Sequence, residues 1–402
     1  MIDLLLNWGG DPATEADFVG ELSRHVDAVG ASARRGDKRR VKTLEAAVAG
    51  DPASSFHFDS RGHGTLRATG VELSAGRFTT PTLGELRQRL TGQRGGDRRA
   101  RLRLWVLDGA SPATDIGSLQ ATAGTGTLFQ VASQFNCLES PGPYLTAVTD
   151  YFSDPTQGPR ASISAWPGTL LRHYAAPHRN GSRFVQSDDG PQINLLEAVC
   201  AEGVARVRSG YLASSGIANL AAFERALAER FDDIRVGLHE DVPVMLGYNW
   251  DGGVEGERRI AQVFTSTFAG GGYSHSSKAG EHDRISETLL RAAYLGTLMA
   301  AASAGTPKVV LTLIGGGVFG NEVSTIWNTI VWALDQVEPL LGTPMDVIVN
   351  GRNLGYHVDE ATLLAQTKRR AGAVIRFQRE GVAVIRGTLG FDSAPSPEGT
   401  TP

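Results

Sequence analysis

The chain is poor in cysteine: Cys137 and Cys200 are the two in 402 residues, and no CxxC pair exists. Neither a disulfide framework nor a zinc ribbon is therefore encoded. Its nine histidines lack HxH or HxxxH spacing, so the sequence carries no metal-ligand signature. No apolar run reaches the roughly 20 residues that a membrane span needs. The opening MIDLLLNWGGDP turns polar too soon for a signal peptide. Charge of one sign is also missing. Lys and Arg number 39 against 43 Asp and Glu, a net charge of −4, which argues against wholesale nucleic-acid binding and leaves only local basic patches. No internal repeat is visible. A soluble, cytoplasmic protein without metal, cofactor, nucleic-acid or membrane partner is the expectation, with secretion by a route lacking an N-terminal signal left open.

What the chain does have is an apolar fraction of 41%, enough for a sizeable core, and one distinctive run, VVLTLIGGGVFGNE from Val309 to Glu322. Val309, Val310, Leu311, Leu313 and Ile314 read as a strand covered on both faces. Gly315, Gly316 and Gly317 permit a turn that side chains would forbid. Gly320 and Asn321 lead into the amphipathic stretch VSTIWNTIVWAL. Backbone N–H groups at such a turn and helix start form an anion seat, so the run predicts a phosphate-bearing ligand held by main chain.

Along the chain, residues 2–8 read as a strand, residues 13–50 as two helices broken near Arg35-Gly36-Asp37, and residues 56–80 as a hairpin. A capped helix starts at Thr82, three residues before Glu85. Residues 91–100 read as a surface loop. From Leu102 strands alternate with helices: LRLWVLDG, TLFQVASQFN, ASISAWPG, VPVMLGYNW, RIAQVFTSTF, VVLTLIGGG and MDVIVN read as strands. INLLEAVCAEG, 282–304 and 323–337 read as helices. This alternation predicts an α/β fold with a mostly parallel sheet. The tail from Ser393 reads as disordered.

Upstream of the glycine run, Asp115-Ile116 precedes FQVASQFNCLE, and DPTQGP follows it. This order resembles the macrodomain superfamily. The finer pattern of FQVASQFNCLE, DPTQGP and GGGVFGN is similar to a divergent branch, the macrodomain hydrolases of bacterial effectors that remove ADP-ribose from arginine, including arginine on ubiquitin. The likeness spans roughly residues 100–350 and departs from ordinary macrodomains in three ways. VASQFN replaces VNAAN, the GGGV loop that normally follows is absent, and a long insertion precedes the late helix. The resemblance implies a three-layer α/β/α sandwich over 101–392, an N-terminal α+β extension over 1–100 packing on it, and a disordered tail over 393–402.

It also implies a site. Asp115 and Ile116 would read adenine. Gly315, Gly316, Gly317, Val318, Phe319, Gly320 and Asn321 would hold the diphosphate, with Phe319 packed on the distal ribose. Gln134 or Asn136 would bind that ribose, both amides being able to donate and accept. Thr156 and Gln157 would orient substrate or a water. Hydrolysis of an N-glycosidic bond needs a group to activate water and one to meet the leaving guanidinium. Asp154 ranks first for this, Glu139 second and Asp150 third. The expected function is an ADP-ribosyl hydrolase acting on ADP-ribosylated protein, with ubiquitin among the candidate targets. A non-catalytic ADP-ribose reader and another nucleotide enzyme, such as a dinucleotide oxidoreductase, are the alternatives. Each candidate also has a plain structural role: Asp115 as a helix cap, Asp154 as an Asx turn before proline, Gln134 and Asn136 as loop-stabilising amides.

Overall fold

The computed structural model describes all residues except 32–37, 93–100, 179, 202, 251–253, 255, 380 and 387–402. The helix break near Arg35, most of the 91–100 loop and the C-terminal tail lie outside the described residues. The helices are α1 (Ile2–Trp8), α2 (Glu15–Ala31), α3 (Lys38–Gly50), α4 (Pro52–Ser55), α5 (Leu83–Gly92), α6 (Ile116–Ala121), α7 (Gln157–Ser164), α8 (Trp166–Tyr174), α9 (Leu220–Glu229), α10 (Asp283–Ser303), α11 (Val323–Val337) and α12 (Glu360–Arg369). The strands are β1 (Phe56–Phe58), β2 (Gly64–Ala68), β3 (Val71–Thr79), β4 (Leu102–Asp108), β5 (Thr127–Ala132), β6 (Ala176–Pro177), β7 (Arg183–Phe184), β8 (Gly237–Pro243), β9 (Arg259–Thr265), β10 (Lys308–Thr312), β11 (Met345–Gly351), β12 (Val374–Gln378) and β13 (Gly381–Ile385). None of the described helices is long and apolar enough to cross a membrane.

All strands but the short β6–β7 pair join one sheet, ordered β1-β2-β3-β8-β9-β5-β10-β11-β4-β12-β13. The centre, from β9 to β12, is parallel. Both margins are antiparallel. The sheet is thus half parallel rather than mostly so, because the 56–80 segment adds β1–β3 to one edge and β13 doubles back on the other.

Central strands are buried along nearly their whole length, as expected for strands covered on both faces. Two glutamines identify the covers. Gln130 on β5 donates to Ala293 O (3.3 Å) and Thr297 Oγ1 (3.0 Å) of α10. Gln262 on β9 pairs with Phe129, the residue before Gln130, so it points to the opposite face. There it donates to Ala161 O of α7 at 2.9 Å. Helix α10 packs with α5, α9 and α11 on one side, and α7 packs with α6 and α8 on the other. The result is the expected three-layer α/β sandwich.

Four local expectations fail for physical reasons. Residues 2–8 form α1, burying Ile2 and Leu5 at helical spacing and ending on left-handed Gly9 (φ 67°). A short apolar run cannot distinguish strand from helix by composition. ASISAWPG lies across α7 and α8, where small buried Ala161, Ser162 and Ser164 allow close packing and Pro167 starts the second helix. In INLLEAVCAEG the described residues 195–201 form turns instead of a helix, opened by the Asn194 side chain accepting from Leu196 N–H at 3.0 Å. In VPVMLGYNW the strand ends at Pro243, and left-handed Asn249 and Trp250 follow (φ 53° and 62°). The Thr82–Glu85 expectation holds: Thr82 Oγ1 accepts from Glu85 N–H (3.0 Å), and Glu85 accepts from Thr82 N–H (2.8 Å).

Candidate active site

A cleft of about 1030 Å³ opens outside the carboxyl ends of neighbouring β5, β10 and β11, where open α/β sheets place ligands. Of the anticipated residues, Gln134, Glu139, Asp150, Asp154, Thr156, Gln157 and Gly315 through Phe319 line it. Asp115, Ile116, Asn136, Gly320 and Asn321 do not.

The glycine loop follows β10. Gly315 is left-handed (φ 70°), and a Cβ there would stand 2.5 Å from both Thr267 Cγ2 and Asn321 Nδ2. Only glycine fits that position. Gly316 N–H donates to Leu313 O (3.2 Å), Gly320 N–H to Gly317 O (3.0 Å), and Asn321 N–H to Gly315 O (3.0 Å). Asn321 Nδ2 also donates to Phe268 O (3.3 Å) and Gly315 O (3.2 Å). Among the described residues, the N–H groups of Gly315, Gly317, Val318 and Phe319 donate to no protein acceptor. Uncommitted main-chain donors on one turn form an anion seat. Gly320 and Asn321 thus brace the loop, and α11 starts only at Val323, beyond the residues that line the cleft.

Phe319 closes one side of the cleft against two tyrosines that the sequence reading overlooked. Its ring centroid lies 5.7 Å from Tyr211 and 5.5 Å from Tyr273, and the tyrosines are 5.1 Å apart. Tyr211 donates to Ser140 O and Tyr273 to Pro141 O (3.1 Å), tying this cluster to the loop after β5. Gln134 Nε2 reaches Ser140 O (3.2 Å) and Tyr211 OH (3.4 Å), while its buried Oε1 has no partner among the described residues. Asn136 is occupied: Nδ2 donates to Gln192 (3.2 Å) and Oδ1 accepts from Leu138 N–H (3.1 Å). The two amides therefore differ, Gln134 on the cleft wall and Asn136 inside the turn.

The three carboxylates differ as well. Glu139 is only 5% exposed, and among the described residues its Oε1 meets no donor at full hydrogen-bond geometry, although the Ser162 hydroxyl lies near enough to favour the charged carboxylate slightly. Burial, then the negative charge of Asp154, pushes its carboxyl well above the usual range, opposed by the Arg172 guanidinium. It sits against Gly158 in the first turn of α7. A Cβ there would meet Ala132 O at 2.4 Å and the Glu139 oxygens at 3.0 and 3.1 Å. Asp154 forms an Asx turn, with Oδ1 accepting from Thr156 N–H (2.9 Å) and Oγ1–H (2.7 Å). Asp150 is exposed on the 3₁₀ turn Val148–Ser153. Neither aspartate makes an ion pair among the described residues.

Beneath Glu139 the chain is held by Arg172, fully buried on α8. Arg172 Nε donates to Cys137 O (3.1 Å), Nη2 to Thr169 Oγ1 (3.1 Å) and Nη1 to His239 Nδ1 (3.0 Å), and the guanidinium lies 3.7 Å from the Phe264 ring centre. His239 Nε2 meets Ala75 O at 2.7 Å, so Nδ1 accepts and Nε2–H donates. Burial and the arginine charge hold this histidine neutral. Cys137 is left-handed (φ 62°), an uncommon conformation for a residue with a Cβ, and Arg172 fixes its carbonyl. Burial pushes the Cys137 thiol up to about 12, which suits packing and not nucleophilic attack.

Asp115 is 1% exposed. It caps α6 through Gly117 N–H (3.1 Å), pairs with Arg160 and takes Gln157 Nε2 (3.3 Å). Ile116 N–H is taken by Gln157 Oε1 (2.9 Å). The cleft wall near this end instead shows Asn350, Arg352 and Asn353. Arg352 Nη1 reaches Ser111 O (3.3 Å) and Thr114 Oγ1 (3.2 Å). The signal for these residues is their place at the end of MDVIVN, which Asn350 closes, and just after it, at the carboxyl end of a central parallel strand. Among the described residues no group of three His, Cys, Asp or Glu side chains could hold a metal ion.

No family model matches the chain, and no curated protein matches it. Solved structures do resemble it. Poly(ADP-ribose) glycohydrolase from Thermomonospora curvata is 15% identical over 83% of this chain and 99% of its own, with a TM-score of 0.40. Poly(ADP-ribose) glycohydrolase from Deinococcus radiodurans, in complex with ADP-ribose, is 16% identical over 73% and 93%, with a TM-score of 0.42. At these values the likeness carries no argument about activity, which rests on the cleft itself.

Proposed function

We propose that the protein is an ADP-ribosyl hydrolase that releases ADP-ribose from modified protein, with arginine as the preferred linkage and ADP-ribosylated ubiquitin among its substrates. One observation carries this reading: a turn with four uncommitted backbone donors and the buried Glu139 carboxyl line the same cleft. The diphosphate would take the N–H groups of Gly315, Gly317, Val318 and Phe319, with Arg352 as the nearby cation on the cleft wall. Gln134 and Phe319 would flank the distal ribose.

Glu139 has the environment of a general acid, because its neutral form survives to higher pH than that of an ordinary glutamate. Its proton would pass to the departing nitrogen as the C–N bond breaks. The carboxylate so formed would take a proton from the water whose oxygen bonds to the anomeric carbon. This reverses the order drawn from sequence, since Asp154 is engaged in its turn. Asp150 and Asp154, both on the cleft wall and without an ion pair among the described residues, supply negative charge suited to a guanidinium. That charge favours arginine over an ester or a hydroxyl leaving group.

Incubating the protein with arginine-, glutamate- and serine-linked ADP-ribosyl proteins and with poly(ADP-ribose) tests the reading. Release from arginine, lost in Glu139→Gln, is expected. Release from none of the four would sink it, and calorimetry with ADP-ribose and NADH would then separate a reader from a dinucleotide enzyme.

A further inference from the structure

Glu45 is a charged residue at a core position. Helix α3 buries Val41, Leu44, Glu45 and Val48, a spacing that otherwise carries apolar side chains. Its carboxylate is 4% exposed and faces no cation among the described residues. Four donors satisfy it. Val148 N–H (2.5 Å), Thr149 N–H (2.7 Å), the Thr149 hydroxyl and the Tyr174 hydroxyl (3.0 Å) all point at its two oxygens. Two of these donors are the first N–H groups of the 3₁₀ turn Val148–Ser153, whose own cap position, Ala147, offers no side-chain bond. A residue about a hundred positions upstream therefore does the work of an N-cap.

That turn belongs to the cleft. It carries Asp150 and Tyr151, and Asp154 closes it through its N–H to Tyr151 O (3.2 Å). Tyr151 is buried, and its hydroxyl oxygen accepts from Glu139 N–H at 2.8 Å. A continuous path thus runs from Glu45 through the turn and Tyr151 to the main chain of Glu139.

We infer that Glu45 is a positioning residue: the N-terminal helix α3 fixes the acidic turn and, through Tyr151, the place of the Glu139 carboxyl in the cleft. The inference extends the hydrolase reading, and half of its test is independent of it. Gln keeps the size of Glu45 but replaces one acceptor oxygen with an NH₂ group that opposes the donors of the turn.

Hydrogen exchange on the full chain reads the geometry directly. In Glu45→Gln, the amides of Val148, Thr149 and Glu139 should exchange at least tenfold faster, while those of Val309–Leu311 keep their wild-type rates. Unchanged rates at 148, 149 and 139, or equal acceleration throughout the sheet, would overturn the proposal. Turnover should fall at least tenfold with ADP-ribose affinity held within threefold; equal losses in both would indicate a general structural role and count against it. Tyr151→Phe, which leaves the Glu45 bonds in place, should speed exchange at Glu139 and slow turnover in the same way. If Glu45→Gln fails to fold, Thr149→Val, which removes one hydroxyl donor from Glu45, decides the first half of the path by the same exchange rates. A wild-type protein that hydrolyses nothing would sink the hydrolase reading, leaving the exchange arm to decide the role of Glu45.

Discussion

At the scale of single residues, Glu139 is the side chain whose surroundings least suit an ordinary surface carboxylate. On the proposed general-acid role, Glu139→Gln should lower turnover by roughly 10²–10⁴-fold, with ADP-ribose binding retained. Asp154→Asn should cost less, since Asn can still accept from Thr156. The same burial has a stability consequence. The Glu139 pKa is raised on folding, above an unfolded value of about 4.3. The native state therefore binds the proton more tightly than the unfolded chain, and stability is lost as pH rises through the folded pKa. Gln carries no such penalty. Thermal unfolding should show Glu139→Gln more stable than wild type at pH 8, with the difference shrinking toward pH 4. A difference that grows on acidification would mean that the carboxyl is ionised and stabilised instead.

At the scale of elements, the glycine loop makes the sharper prediction. Gly315→Ala meets a strained φ and two atoms at 2.5 Å, so calorimetry should show at least tenfold weaker ADP-ribose binding. The capping box is a control: Thr82→Ala should cost about 1 kcal/mol of stability and leave binding untouched. What the sequence made legible here follows one rule. The glycine loop, α10, α11 and the Thr82 cap were readable because turn glycines, long periodicity and caps are local signals. Residues 2–8 and ASISAWPG were not, because each is a short apolar or small-residue stretch whose state is set by what packs on it. Tyr211 and Tyr273 reach the cleft from the long insertion, and no spacing in the sequence ties them to Phe319.

At the scale of the whole molecule, the half-parallel sheet places β5, β10 and β11 side by side, and their carboxyl ends gather residues more than two hundred positions apart. The alternation of strands and helices foretold this architecture. It did not rank the carboxylates, since that ranking depends on burial: Glu139 is buried in the cleft wall above Arg172, while Asp154 is spent on its own turn. Asp115 shows the same limit, for its partner Arg160 stands in the first half of α7, a helix whose second half reads as a strand in the sequence. The N-terminal elements are also tied into the whole, with β3 pairing on β8 and Glu45 on α3 reaching the acidic turn.

The most direct measurement is a crystal structure of the Glu139→Gln variant with ADP-ribose. Diphosphate oxygens should lie within about 2.7–3.2 Å of the N–H groups of Gly315, Gly317, Val318 and Phe319, with the distal ribose beside position 139. Ligand seated elsewhere, or those four amides facing solvent in the complex, would contradict the account.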